Sequence, residues 1–94
     1  MSTYILLGIF TDQGTEQIKE HPEWIEGLNR DLEKLGVKLL AQYAVLGQYD
    51  LVTIVEAPDN RTVVKVSTQL TLRGNVKVIT LPALPVSDFL ASLN

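Results

Sequence analysis

The chain of 94 residues contains no cysteine. Disulfides, thiolate nucleophiles and cysteine-ligated metals are therefore excluded. A single histidine, His21, rules out any site built on two imidazoles, and no metal centre is expected. Clustered cations are missing too: 8 Lys and Arg stand against 11 Asp and Glu, for a net charge of −3. A phosphate-binding surface needs the opposite balance, so nucleic acid is not an expected partner. Long apolar runs are also absent. The first one, from Tyr4 to Phe10, has about the length of a strand, and no basic segment precedes it. Neither a signal peptide nor a membrane span is read, and a cytoplasmic protein is expected.

What is present is the composition of a globular protein, with 46% hydrophobic and 20% charged residues. Such a length makes one domain, residues 1–94, with a modest core that a partner subunit would help.

The chain divides into six elements and a tail. Thr3 to Thr11 reads as a strand ending in the polar turn Thr11-Asp12-Gln13-Gly14. From Thr15 to Leu35 the apolar period changes: Ile18, His21, Ile25, Leu28, Leu32 and Leu35 form one stripe of an amphipathic helix. Pro22 interrupts it, which predicts a short first turn, a kink at His21-Pro22 and a main helix that stops at Gly36. Val37 to Leu46 and Tyr49 to Ala57 read as a hairpin, closed by a tight turn in which Gly47 supplies a positive φ. Pro58-Asp59 resembles a helix start, with Asp59 as its N-cap. The segment from Thr62 to Arg73 pulls two ways. Its β-branched residues favour a strand, whereas a βαββαβ unit needs a second crossover helix there. Topology decides for the helix. Val76 to Ala83 is the last strand, and Ser87 to Leu93 a short terminal helix after Pro85.

The strands are apolar on both faces. Ile5, Leu7 and Ile9 alternate with Tyr4, Leu6 and Phe10, and Leu39 and Tyr43 are placed opposite Leu40 and Ala44. Two helices cover only one face of a four-stranded antiparallel sheet, so the second face predicts a homodimer, alone or within a higher assembly of dimers.

Several pieces now add up to a resemblance. Thr11-Asp12-Gln13-Gly14, Pro22, Gly47-Gln48-Tyr49-Asp50, Val55-Glu56-Ala57-Pro58-Asp59 and Gly74-Asn75-Val76 together resemble the GYD domain proteins, in order and spacing, over nearly the whole chain. The resemblance implies an α+β fold: a ferredoxin-like βαββαβ sandwich that assembles as a dimeric α+β barrel. It carries the name-giving motif onto Gly47, Tyr49 and Asp50 and implies no particular activity.

In that topology one end gathers the polar groups Thr11, Asp12, His21, Tyr49, Asp50 and Arg73. Of these, Thr11, His21, Tyr49, Asp50 and Arg73 are the candidate ligand-binding residues, with Gly47 as the structural turn. Each also has a plain reading. His21, on the sheet-facing stripe, is a general base or donor in a cleft, or a half-buried ring bonding a carbonyl freed by Pro22. Tyr49 donates to a ligand or simply packs. Asp50 is a functional carboxylate, or it pairs with Arg73 or accepts backbone N–H groups. Trp24 packs at an interface or a cleft rim, and Glu16, Glu20, Glu23, Glu26, Asp31 and Glu33 form a solvated acidic face. Three functions remain open: a small-molecule-binding subunit, a cofactor-independent enzyme of the monooxygenase or isomerase kind found among relatives of this barrel, and a structural assembly module. No cofactor is expected, since a kinked helix is a poor mount for His21 as a haem ligand.

Overall fold

The computed structural model describes residues 1–94. In chain order it contains β1 (Ser2–Phe10), α1 (Asp12–Glu20), α2 (Trp24–Lys34), β2 (Lys38–Ala44), β3 (Leu51–Ala57), α3 (Asn60–Leu72), β4 (Val76–Ala83) and α4 (Val86–Ala91). The four strands form one antiparallel sheet in the order β2-β3-β1-β4. This is the expected α+β, ferredoxin-like βαββαβ arrangement, with the first crossover split into two helices. No helix is long and apolar enough to cross a membrane.

Local chemistry accounts for the main helix boundaries of the two crossovers. The Thr11 hydroxyl caps α1 by accepting the Gly14 N–H at 3.0 Å. Pro22 then ends α1, and the chain restarts as α2 two residues later. Gly36, at φ 84°, closes α2, and the Val37 N–H returns to the Leu32 carbonyl at 3.0 Å. Asp59 caps α3 through the Thr62 N–H and hydroxyl, both at 2.9 Å. Residues 62–72 are thus helical despite their β-branched side chains, with Arg73 as the C-cap. Val63, Val66 and Leu70 are all buried on one stripe, and burial at about 1.5–3 kcal/mol each outweighs a propensity cost of a few tenths per residue.

The core lies between α2, α3 and one sheet face. Tyr4, Leu6, Val55, Leu28, Leu32, Val63, Val66 and Leu70 are buried in it. On the other face, Ile5, Leu7, Val52 and Ile54 are only half-buried, while Tyr43, Ile79 and Leu81 are exposed. The alternation along β1 therefore reads correctly, but β2 departs from it. A bulge between Leu39 and Ala41 inserts Leu40 into the ladder, so Leu39 pairs with Val55 and Tyr43 with Val52. The extra residue inverts the parity, and Leu39 and Tyr43, expected to share a face, lie on opposite faces.

The hairpin also differs from the tight turn expected. Paired strand ends at Ala44 and resumes at Leu51, and the Val45 N–H donates to the Asp50 carbonyl at 3.0 Å across a loop of residues 46–49. Gly47 keeps its positive φ, 112°, within this wider loop. Tyr49 and Asp50 consequently precede β3 and do not open it.

Candidate functional site

Asp50 is held by three hydrogen bonds. Its N–H donates to the Gly8 carbonyl at 2.9 Å, its carbonyl receives Val45, and its carboxylate Oδ2 accepts the Phe10 N–H at 2.9 Å. Pairing between β1 and β3 stops at Gly8 and Leu51, so β1 outruns its neighbour by two residues. The Asp50 carboxylate stands in the sheet plane where the next β3 carbonyl would have been. It completes the ladder and ties the loop to β1.

Thr11 is similarly engaged. Its hydroxyl donates to the Gly74 carbonyl at 2.6 Å, and its N–H donates to the Asn75 carbonyl at 3.1 Å. Gly14 is required beside it, because a Cβ there would stand 1.8 Å from the Asn75 carbonyl oxygen. Phe10 meets Trp24 edge to face, with ring centroids 5.9 Å apart. Trp24 Nε1 and Asn75 Oδ1 are buried without a partner, one donor and one acceptor left over in this region.

The structure thus brings Thr11, Gly74, Asn75, Phe10 and Asp50 together through the backbone. Other candidates lie apart. Arg73 pairs with Asp31 on α2, so of the two plain readings of Asp50 the pair with Arg73 is not formed and a backbone N–H is accepted instead, and Asp31 does not belong to the solvated acidic face. His21 is exposed, 3.5 Å from Glu23, because the break at Pro22 takes it off the sheet-facing stripe. Tyr49 is half-buried in the loop.

Between sheet and helices lies an enclosed apolar cavity, lined by Leu6, Gly8, Leu28, Leu51, Leu70 and Val78 among others. It holds about 20 Å³, room for a single water, whereas metabolite sites occupy about 300–1,000 Å³. At its floor Gln42 donates to Thr53 at 3.0 Å and exchanges amide hydrogen bonds with Asn29 at 2.9 and 3.1 Å. Every polar group of this trio is turned toward another chain group.

The larger unmet surface is apolar and lies outside the core. One part is the open sheet face. The other is a stripe of Val86, Phe89, Leu90 and Leu93, all exposed, on and just after α4. Their i, i+3, i+4, i+7 spacing is the sequence signal that would have revealed this second surface.

The GYD domain model matches residues 4–93. The chain belongs to the GYD domain family. A GYD relative from Thermus thermophilus, named "Glutamine synthetase and cystathionine beta-lyase binding protein", is 48% identical over 94 residues, covering 99% of each chain. Within the GYD motif of this chain, Gly47 shapes the loop and Asp50 anchors it through the bonds to Gly8, Val45 and Phe10.

Proposed function

We propose that the protein is a homodimeric protein-binding module whose targets are metabolic enzymes of the kind its relative is named for, glutamine synthetase and cystathionine β-lyase. One observation carries the reading: the similarity to a protein so named runs the full length of the chain at 48% identity. Three features support it. The enclosed apolar cavity under α2 and α3 is the size of one water, and the more open recess between α3 and the sheet, about 230 Å³, is still below the metabolite range of about 300–1,000 Å³. Thr11 and Asp50 are spent on backbone groups. The exposed apolar surface is laid out for macromolecular contact. A metabolite in the cavity lined by Leu6, Leu28 and Leu70 would first have to part the helices from the sheet.

In the dimer the open sheet faces cover each other, leaving the helical layer outward. That layer presents Glu16, Glu20, Glu23 and Glu26, all exposed, as an acidic surface for the enzymes. Binding of that kind weakens with salt. The reading requires the protein to share the cytoplasm with its targets. The test is biolayer interferometry of the purified chain against each purified enzyme from the same host. We expect at least one Kd of about 10 μM or tighter, rising with ionic strength. Failure to bind either enzyme at about 100 μM overturns the assignment.

A further inference from the structure

Residues 84–93 form an arm that makes little use of its own chain. Every residue in it is exposed, including Val86, Phe89, Leu90 and Leu93 at 70%, 50%, 55% and 67%. Pro85, at φ −54° and ψ 140°, keeps the chain extended as it leaves β4. The molecule is accordingly long, with extents of 51 × 29 × 18 Å, and its radius of gyration of 14.1 Å exceeds the roughly 12 Å of a compact chain this size.

The surface area agrees. The protein exposes 6235 Å², against about 5,400 Å² for a compact monomer of this mass. The excess of about 800 Å² equals one partner's share of an ordinary interface.

The open sheet face is not uniform along its length. At the end from which the arm departs it carries Lys38, Glu56 and Thr3 in register with Ala83. This polar row offers nothing to an apolar stripe. At the hairpin end it carries Tyr43, Ile9 and Ile79, with Lys77 beside Ile9. That end suits the arm, which has five large apolar side chains (Leu84, Val86, Phe89, Leu90 and Leu93) and, at Asp88, one carboxylate and no cation. Strand geometry puts Tyr43 and Lys77 each about 20 Å from Ala83. The arm spans about 15 Å from Ala83 to Phe89 when fully extended away from the sheet, and it would have to reverse direction to use that reach. Only its last residue, Leu93, at about 21 Å, has the reach to this surface, and the arm, exposed at every residue, leaves it uncovered on its own chain. A second copy, packed sheet on sheet with its strands running the opposite way, brings that surface under the arm.

We propose that the arm of each protomer seats Phe89, Leu90 and Leu93 on the hairpin end of the partner's open sheet face, with Asp88 facing the partner's Lys77. The contact is reciprocal across a two-fold axis. It rests on the homodimer reading above and adds to it, because each open face is completed by residues of the other chain.

The natural absence of cysteine makes a direct test possible. Phe89→Cys and Tyr43→Cys chains are mixed in equal amounts and oxidised, with Phe89→Cys plus Lys38→Cys as the reference pair. The mass of the unoxidised protein is followed by light scattering. A dimer that gives the 89–43 crosslink at least tenfold over the reference pair supports the arm exchange. A dimer whose 89–43 crosslink stays at the reference level overturns the exchange and leaves the dimer standing. A monomer overturns both. An intrachain disulfide in the Phe89→Cys/Tyr43→Cys double variant also overturns it, since the arm would then cover its own sheet. As a second readout, Phe89→Ser/Leu90→Ser should raise the dimer Kd about 100-fold with an unchanged circular dichroism spectrum, because both residues are exposed in the monomer. An unchanged Kd would count against the exchange.

Discussion

The two faces of the sheet are written by the same strands in almost the same alphabet, yet only one is a core. On one face Tyr4, Leu6 and Val55 are 1–4% exposed beneath α2 and α3. On the other, Ile5, Leu7 and Ile54, one residue along the same strands, are only half-buried, and Tyr43, Ile79 and Leu81 on the edge strands are 38–58% exposed. Alternation decides which face a side chain takes, but burial requires something to lie on that face. Hydropathy alone therefore overstates the core of such a chain. It marks both faces as interior, although the helices suffice for one.

Paired substitutions give this contrast its largest expected effect. Leu32, 1% exposed on α2, is among the most deeply buried side chains of the covered face. Leu32→Ala should cost about 2–5 kcal/mol, the transfer of the lost carbons plus an unfilled cavity. Tyr43→Ser on the open face should move monomer stability by no more than about 0.5 kcal/mol. Urea unfolding at a protein concentration below the Kd of the proposed dimer reads both values. Similar losses at the two positions would mean that the open face is buried within the single chain.

Much of this is legible in the sequence, and the gaps have physical causes. Residues 62–73 can be assigned as helix because a missing crossover is a stronger constraint than β-branched propensity. The parity of β2 cannot be read, because a bulge at Leu40 changes the face of every later residue while leaving the apolar count unaltered. Leu46-Gly47 signals a tight turn, but a positive φ at Gly47 serves a longer loop equally well. Spacing puts His21 on the stripe, yet Pro22 separates two helices whose phases are independent. The partner of Asp50 lies beyond sequence reasoning, since it is a backbone N–H forty positions earlier, indistinguishable there from any other.

That bond supports a middle-sized prediction about where the two faces meet at the hairpin end. Asp50→Ala removes the acceptor of the half-buried Phe10 N–H and should destabilise the fold by about 1–3 kcal/mol. Asp50→Asn keeps an acceptor oxygen and should cost clearly less. Amide exchange at Phe10, followed by NMR, separates the two: faster in Asp50→Ala, near the parent rate in Asp50→Asn. Unchanged exchange in both would show that the carboxylate does not close the ladder.

The smallest effect concerns how the covered face acquires its cover. α3 begins where Asp59 accepts the Thr62 N–H and hydroxyl. The backbone bond, then the hydroxyl bond, hold the Asp59 carboxyl below the ordinary aspartate value. A depressed folded-state pKa means that the unfolded chain binds the proton more readily. The cap's contribution is therefore complete above the ordinary aspartate range and is lost as pH falls through the folded-state value. Asp59→Asn keeps a capping oxygen but cannot titrate, so the stability difference between parent and variant should shrink as pH falls below about 4. Thermal unfolding of the two proteins from about pH 6 to about pH 2.5 measures this. A difference that stays constant across the range would show that Asp59 titrates alike in the folded and unfolded chain, and that α3 owes its start to packing against the sheet alone.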